Sequence, residues 1–389
     1  MQPHWAALTV LTAARTSLGF QFQSLASVSP VVVADLSLSY ADLGALIGLY
    51  FLPGVVIAFP GGVLGQRFGE KRVVASGLIL MLAGGIVSSL STNFAGLAVG
   101  RVVSGIGGVL LNVLMAKMVT DWFAGRREIV LAMAIFVNSF PIGVGLAMLT
   151  LSTVADTGGW PTAIGASTAV TLAALLLLVF CYRRHPNDGA TATPLGRTIS
   201  PREAGLVCIA GAMWGIFNGV FAVMFGFAPT LLVAAAGFTP SQAGLIAGGA
   251  TWLVVASVQI GGLLAQRGTR PLLLVAAGSL AWGGCLFVMA SNDWLAAPAL
   301  ITAGLLMGLP VGVIMSLPAQ ALRPESRGLG MGLFYTGLYL GHGLLPPFSG
   351  WVQDTTGSPA VPLYFAMVLV LAMVPLYRVF RWTLSPKTG

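Results

Sequence analysis

Two arginines lie inside long apolar stretches of this chain, away from other charged residues. Arg15 is about ten residues into the first apolar stretch, and Arg101 is about six residues into a later one. A positive charge in apolar surroundings is costly unless an anion or a set of hydrogen-bond acceptors compensates it. These positions therefore favour the binding of a negatively charged small molecule.

A third candidate is His342, because an imidazole gains and loses a proton near neutral pH in water. With helical periodicity, Tyr335 and Tyr339 share its face. A hydrogen-bonded packing histidine is the alternative interpretation. Further binding candidates are polar or aromatic residues within apolar stretches, and each is equally consistent with contacts between helices: Phe22, Tyr50, Asn112, Asn138, Trp214, Asn218 and Gln259.

The composition indicates what surrounds these residues. Of the 389 residues, 57% are hydrophobic and only 8% are charged, which is too apolar for a soluble fold. We therefore predict an all-α membrane protein. Its three cysteines, Cys181, Cys208 and Cys285, lie in or beside apolar stretches, and we expect no structural disulfide.

Apolar runs long enough to cross a bilayer, which takes about 20 residues each, occur twelve times in two sets of six. We number them segments 1 to 12: 6–34, 42–65, 73–91, 95–119, 129–152, 160–182, 205–234, 240–265, 271–290, 295–321, 328–352 and 360–380. The predicted architecture is an N-terminal six-helix bundle over 1–184, a cytoplasmic linker over 185–203 and a C-terminal six-helix bundle over 204–389.

The basic residues predict an orientation. All Lys and Arg residues except Arg15 and Arg101 lie in the loops after even-numbered segments, beside those loops, or in the C-terminal tail. By the positive-inside rule, both termini and the linker face the cytoplasm in a multi-pass cell-membrane protein, with a bacterial inner membrane expected. The net charge of +8 follows from this asymmetry, so we expect membrane lipid and no nucleic acid as a partner.

A short motif shows that the two sets are duplicates. GGVLGQR at 61–67 returns as GGLLAQR at 261–267, and each copy is followed by a polar loop. Parallel repeats of this kind are typical of transporters with a cavity between their halves. We predict that Gly62, Arg67, Gly69 and Arg267 form gating elements that bias the balance between inward-open and outward-open states.

The depth of Arg15 makes it the leading binding candidate. About ten residues of helix span roughly 15 Å, which places the guanidinium near the bilayer midplane. No helix interior contains an Asp or Glu that would neutralise it, so an anionic substrate is the predicted partner. The alternative is that Arg15 caps carbonyl groups of a neighbouring broken helix. Arg101 lies nearer a helix end, where snorkelling competes with substrate contact.

The chain resembles the major facilitator superfamily of secondary transporters. The residues that carry the resemblance are Gly62, Leu64, Arg67, Gly69, Lys71 and Arg72 in the loop after segment 2, and Arg101, Gly105 and Gly107 in segment 4. The loop departs from the family pattern at Gln66 and Glu70. Arg15, with GIGGVLLN at 105–112 and LRPESRGLGMG at 322–332, is most similar to the cyanate-permease group and related small-anion carriers.

The predicted function is secondary active transport of a small anion, such as cyanate, nitrite or a carboxylate, with Arg15 as the binding charge. A proton is a possible co-substrate, and we expect a functional monomer without cofactor or metal. The chain has no Walker-type loop, HExxH motif or intramembrane aspartate pair, so we do not expect an enzyme. The alternative is a drug or hydrophobic-compound exporter of the same fold, although a cationic substrate would call for a buried carboxylate.

Overall fold

The computed structural model describes residues 2–183, 199–234 and 237–385, and within these ranges the chain forms helices and loops without strands. Residues 185–198 of the predicted linker lie outside the described residues. The twelve predicted segments correspond to helices that cross the molecule back and forth, which confirms the twelve-helix fold. Segments 5 and 6 meet at Gly159, between their predicted ranges, but no loop separates the two helices.

The helices of the first half follow the segments in order. Segment 1 is Pro3–Ser27 followed by Ser29–Asp35, segment 2 is Tyr40–Gly48 followed by Gly54–Phe68, segment 3 is Glu70–Leu90, and segment 4 is Phe94–Trp122. Segments 5 and 6 form Ile129–Cys181, which reverses direction at Gly159. Gly159 has φ 76°, a conformation that residues with a Cβ rarely adopt, so glycine allows the turn without a loop.

The second half has the same order. Segments 7, 8 and 9 are Pro201–Ala234, Pro240–Gln266 and Pro271–Ser291. Segment 10 is Ala296–Leu306 followed by Val311–Ala321, and segments 11 and 12 are Arg327–Thr356 and Ala360–Leu384. Short 3₁₀ turns, Asp293–Leu295 and Pro324–Ser326, precede segments 10 and 11.

Segments 1 and 11 differ from the others in polarity, and segment 2 differs in being broken between Gly48 and Gly54. Eight of the described helices are long and apolar enough to cross a membrane by length and composition, and they cover every segment except these three. Segments 2 and 11 pack against each other, and segment 1 packs on segments 5 and 7, so these helices lie where the halves meet. Their polar residues therefore face protein instead of lipid, which explains why they tolerate Arg15 and His342.

The two ends of the molecule are packed differently. The acidic end contains Asp35, Asp42, Asp156, Asp293 and Asp354, and the basic end contains the Arg- and Lys-rich loops. At the acidic end, the Asp354 carboxylate accepts hydrogen bonds from the backbone N–H groups of Tyr40, at 2.9 Å, and Ala41, at 2.7 Å. Asp156 likewise accepts a hydrogen bond from Ser241. These bonds join the two halves and close the cleft there.

At the basic end, the described ion pairs join residues of the same half. Lys117 pairs with Glu70 and, at 2.8 Å, with Asp121 in the first half. Glu203 pairs with Arg323 at 3.1 Å in the second half and also accepts a hydrogen bond from Ser326 at 2.7 Å. The described hydrogen bonds between loop or helix-end residues of the two halves thus lie at the acidic end.

Candidate functional site

Arg15 lies half-buried in segment 1 and reaches toward segments 4 and 5. Its Nε donates to the Asn112 Oδ1 at 3.2 Å, and its Nη1 donates to the carbonyl groups of Phe136 at 2.8 Å and Val137 at 2.7 Å. Pro141 follows Val137 by four residues and has no N–H, so the Val137 carbonyl lacks its ordinary helical donor. Arg15 therefore satisfies a carbonyl that the sequence itself leaves free.

Part of the guanidinium remains available after these bonds are made. Nη2 donates to no described residue, and none of the described ion pairs involves Arg15. Tyr335 and Tyr339 of segment 11 lie close enough to Arg15 to interact with it electrostatically, and the Tyr339 hydroxyl interacts with Asn112. Both halves thus contribute side chains around one cation, the Arg15 guanidinium.

Arg101 is enclosed within the first half, with 4% of its surface exposed. Its Nε, Nη1 and Nη2 donate to the carbonyls of Leu46 at 2.8 Å, Gln21 at 3.2 Å and Phe22 at 2.9 Å. The guanidinium also lies 4.5 Å from the centre of the Tyr50 ring. In this conformation Arg101 ties segments 1, 2 and 4 together, and its direct contact with substrate stays a prediction.

His342 belongs to a cluster of rings from both halves, which we call the aromatic cluster: Phe22, Tyr50, Phe51, Phe140, Tyr339 and His342. The imidazole centre lies 4.8 Å from that of Phe51 and 5.6 Å from that of Phe22. Only 3% of His342 is exposed, and neither ring nitrogen has a described hydrogen-bond partner. The Leu338 carbonyl, one turn earlier, is near the ring without satisfying hydrogen-bond geometry.

The aromatic cluster lies on the acidic-end side of Arg15, because Phe22 is two helical turns further along segment 1 in that direction. Phe140 connects the two groups, since its ring is 5.9 Å from the Arg15 guanidinium and 5.9 Å from the Phe22 ring. The cluster therefore separates the Arg15 side chain from the closed end.

The remaining predicted binding residues belong neither to the contacts of Arg15 nor to the aromatic cluster. Trp214 stacks in parallel on Phe217, with centres 5.5 Å apart, and on Phe334, at 6.2 Å. The Asn218 amide donates to the Trp214 carbonyl at 2.8 Å, a contact within one helix. Asn138 is half-buried and Gln259 is exposed, and neither side chain hydrogen bonds to another described residue.

Several residues at the site were not predicted from the sequence. Phe51 and Phe140 join the aromatic cluster, and the Phe136 ring lies 4.8 Å from the Arg15 guanidinium. Gln21 accepts a hydrogen bond from the Tyr50 hydroxyl at 3.0 Å and donates to the Met81 carbonyl at 2.8 Å. A polar Gln21 in an apolar helix and a proline four residues after Val137 were the available signals.

The two predicted gating loops share a backbone conformation. Gly69 has φ 86° and Gly268 has φ 85°, and each glycine follows the end of an even-numbered helix. Arg67 and Arg267 are exposed, and the Arg67 guanidinium lies 5.4 Å from the Phe68 ring. A Cβ on Gly62 would meet no atom within 4 Å. The gating role of these residues stays a prediction.

Sequence comparison identifies the fold family. Residues 11–234 and 206–389 each match the sequence model of the family described as Major Facilitator Superfamily. The chain belongs to the major facilitator superfamily. It is therefore a secondary transporter and not an enzyme, as the twelve-helix pattern and the loop repeat predicted. Among the described residues, no group of three or more His, Cys, Asp or Glu residues could hold a metal ion.

Relatives with described roles differ in how much of the chain they match. The 2-nitroimidazole transporter of Escherichia coli K12 is 24% identical over 377 residues, covering 92% of this chain and 91% of that protein. The inner membrane transport protein YajR of the same organism is 30% identical over 139 residues, which cover 34% of this chain but only 30% of YajR. The quinolone resistance protein NorA of Staphylococcus aureus is 30% identical over 94 residues, 24% of either chain.

Solved structures show the same fold at lower identity. A bacterial homologue of the human lysosomal transporter Spinster, in an inward-facing and occupied conformation, superposes with a TM-score of 0.82 at 16% identity, covering 98% of each chain. A D-xylose–proton symporter superposes with a TM-score of 0.77 at 15% identity, covering 100% of this chain and 99% of that one.

Proposed function

We propose that this transporter moves a small anion across the cytoplasmic membrane by alternating access, with Arg15 as the binding charge. The observation that carries the proposal is the Nη2 group of Arg15, which has no hydrogen-bond partner among the described residues. The rest of the guanidinium is bonded only to neutral acceptors, namely Asn112, Phe136 and Val137. The two N–H groups of Nη2 can donate to an oxyanion or a carboxylate, and the charge of the guanidinium strengthens such bonds.

The charge balance supports an anion over a cation. Carbonyl and amide dipoles compensate a buried positive charge only in part. An anion in the site is therefore attracted to the Arg15 guanidinium, and this attraction is stronger there than in water, where the dielectric constant is high. The chain's acidic residues lie near helix ends or in loops, and none is placed in the middle of a segment. Tyr335 and Tyr339 add hydroxyl groups from the opposite half, so binding would depend on how the halves are arranged.

The proposed orientation follows from the basic loops. We place both termini and the linker, residues 185–203, in the cytoplasm, with 1–184 and 204–389 as the two halves. The acidic end then faces outward, and the structure is the outward-closed state. Arg67 and Arg267 would act in the opposite state, when the basic end closes, which agrees with their exposure here. The binding groups come from one chain, so a monomer would suffice.

A proton is a reasonable co-substrate because His342 lies in the aromatic cluster beside the site. Both of its nitrogens lack a described partner although only 3% of the residue is exposed. An unprotonated ring fits this apolar enclosure, and a protonated ring would fit only when the cleft rearranges or an anion approaches. His342→Gln should therefore remove the pH dependence of uptake, while an unaltered pH profile would count against proton coupling.

The second candidate is export of drug-like or hydrophobic compounds. The aromatic cluster beside Arg15 favours it, as does the local similarity to the quinolone resistance protein NorA. The full-length similarity to a 2-nitroimidazole transporter fits either candidate, since a nitro group presents two oxygens to a guanidinium much as a carboxylate does. Charge dependence distinguishes the candidates.

The test is a ligand screen on purified protein in lipid nanodiscs. Cyanate, nitrite, nitrate and small mono- and dicarboxylates are compared with neutral molecules of similar shape, such as acetamide for acetate, and 2-nitroimidazole is tested as a separate neutral ligand. We expect at least one anion to raise the thermal midpoint while its neutral partner does not. Stabilisation by hydrophobic cations or neutral drugs alone would contradict anion transport and support the exporter.

A further inference from the structure

A cavity of about 340 Å³ lies at the acidic end of the second half, apart from Arg15. Segments 7, 9, 11 and 12 and the loop before segment 12 form most of its wall, and Tyr40 of segment 2 completes it from the other half. Its walls are mainly apolar, with Met224, Phe227 and Leu231 on one side and Met289 and Leu363 on the other. The volume is within the range of small-molecule sites.

Two polar side chains line this cavity where segment 11 ends. Gln353 is 8% exposed, and its side-chain amide makes no hydrogen bond to another described residue. Asp354 is the only charged residue of the described wall, and its two oxygens each accept one backbone N–H from the start of segment 2. Each carboxylate oxygen has a second acceptor position. The cavity thus combines apolar walls, a largely buried glutamine with no side-chain hydrogen bond to another described residue, and one negative charge on its described wall.

The negative charge of the acidic end indicates which class of ligand the cavity would bind. The loops of the acidic end contain Asp35, Asp42, Asp156, Asp293 and Asp354 and no Lys or Arg. An anion that suits Arg15 would be repelled here, whereas a cation with an apolar body would be attracted. The two sites therefore differ in the sign of charge that they favour.

We propose that this cavity is a second ligand site, for a small amphipathic cation such as an aralkyl ammonium ion, and that its occupation inhibits transport. Tyr40 belongs to the first half, while the rest of the wall belongs to the second half. The ring centres of Tyr40 and Phe227 are 6.5 Å apart across this boundary. A ligand that fills the cavity contacts both halves and therefore favours the state in which the acidic end is closed.

The experiment uses benzyltrimethylammonium and its uncharged carbon isostere, neopentylbenzene, with the full chain in phosphatidylglycerol nanodiscs, which contain no ammonium lipid. Spin labels on Thr157 and Thr355 report the distance between the halves at the acidic end by double electron–electron resonance. We expect the ammonium ion to increase the short-distance population and neopentylbenzene to leave it unchanged.

Three variants separate this cavity from the Arg15 site. In Asp354→Asn the half-saturating concentration of benzyltrimethylammonium should rise about fivefold, which is the effect of losing one exposed ion contact. The matched acidic-end variant Asp293→Asn should behave as wild type. Leu363→Trp fills the cavity and should abolish the response without touching the Asp354 bonds. Arg15→Gln should retain the response to benzyltrimethylammonium.

Four outcomes would overturn the proposal: no response of the wild-type protein to the ammonium ion, equal responses to the two probes, a wild-type response in Leu363→Trp, or loss of the response in Arg15→Gln. The last would place the cation in the central cleft. None of these readouts requires anion transport, so failure here is distinguishable from failure of the proposed function.

Discussion

Segments 5 and 8, from different halves, cross at closely packed glycines, and we expect these glycines to favour the closed acidic end. A Cβ added to Gly248 would lie 2.7 Å from the Leu149 Cγ and 2.9 Å from the Gly145 carbonyl oxygen, so the two halves would have to separate locally. A Cβ on the adjacent Gly249 would meet nothing within 4 Å. Gly248→Ala and Gly249→Ala therefore form a matched pair with the same chemical change on the same helix.

The expected magnitude follows from the cost of overpacking. One methyl group forced into a packed contact costs about 1–3 kcal/mol, and the contact exists only while the acidic end is closed. Such a penalty changes the ratio of closed to open molecules by about 5- to 150-fold. The gain in helix propensity, about 1 kcal/mol for Gly to Ala, applies to both variants and both states, so it cancels in the comparison.

Double electron–electron resonance between labels on Thr157 and Thr355 measures this ratio. Gly248→Ala should shift the distance distribution toward long distances, and Gly249→Ala should give the wild-type distribution. If both variants gave the same distribution, the crossing of segments 5 and 8 would not determine which end of the cleft is open.

Three further predictions concern gating, stability and orientation. Arg67→Ala should alter transport rates more than substrate affinity, because the gating contacts proposed for Arg67 form only when the basic end is closed; a change confined to affinity would contradict this. Arg101→Lys should cost about 2 kcal/mol and lower the thermal midpoint, because an ammonium group cannot reach three carbonyls as a planar guanidinium does; an unchanged midpoint would show that these bonds do not stabilise the fold. In a variant without the native cysteines, an impermeant thiol reagent should label Thr355→Cys but not Ser200→Cys in intact cells, and labelling of Ser200→Cys would reverse the assigned orientation.

Hydrophobic length and the loop repeat were sufficient to predict the twelve crossings and their grouping into two sets. Lipid requires each crossing to satisfy its own backbone, so the signal is local and can be read from one sequence. The break between segments 5 and 6 was predicted at 153–159, but the direct junction at Gly159 was not, because a glycine with positive φ lets two helices join without the polar loop that usually marks a boundary.

The site was only partly predictable for a different reason. Arg15 stood out because charge is rare in apolar helices. Pro141 was a sequence signal for its contact with the Val137 carbonyl, because a proline has no N–H to donate to that carbonyl. Phe51 and Phe140 gave no such signal, because aromatic residues are common in membrane helices. Their place beside His342 depends on how the two halves dock, which is a long-range property of the fold.

The central claim is that Arg15 binds the anion, and its most direct test is ligand-induced thermal stabilisation of charge variants. For an anion that stabilises the wild-type protein, Arg15→Gln should abolish the shift, and Arg15→Lys should retain part of it because the charge remains without the planar fork. Arg67→Gln, which removes an exposed arginine, should keep the full shift. A full anion-dependent shift in correctly folded Arg15→Gln protein would contradict the claim and leave Arg15 as a cap for the carbonyls of Phe136 and Val137.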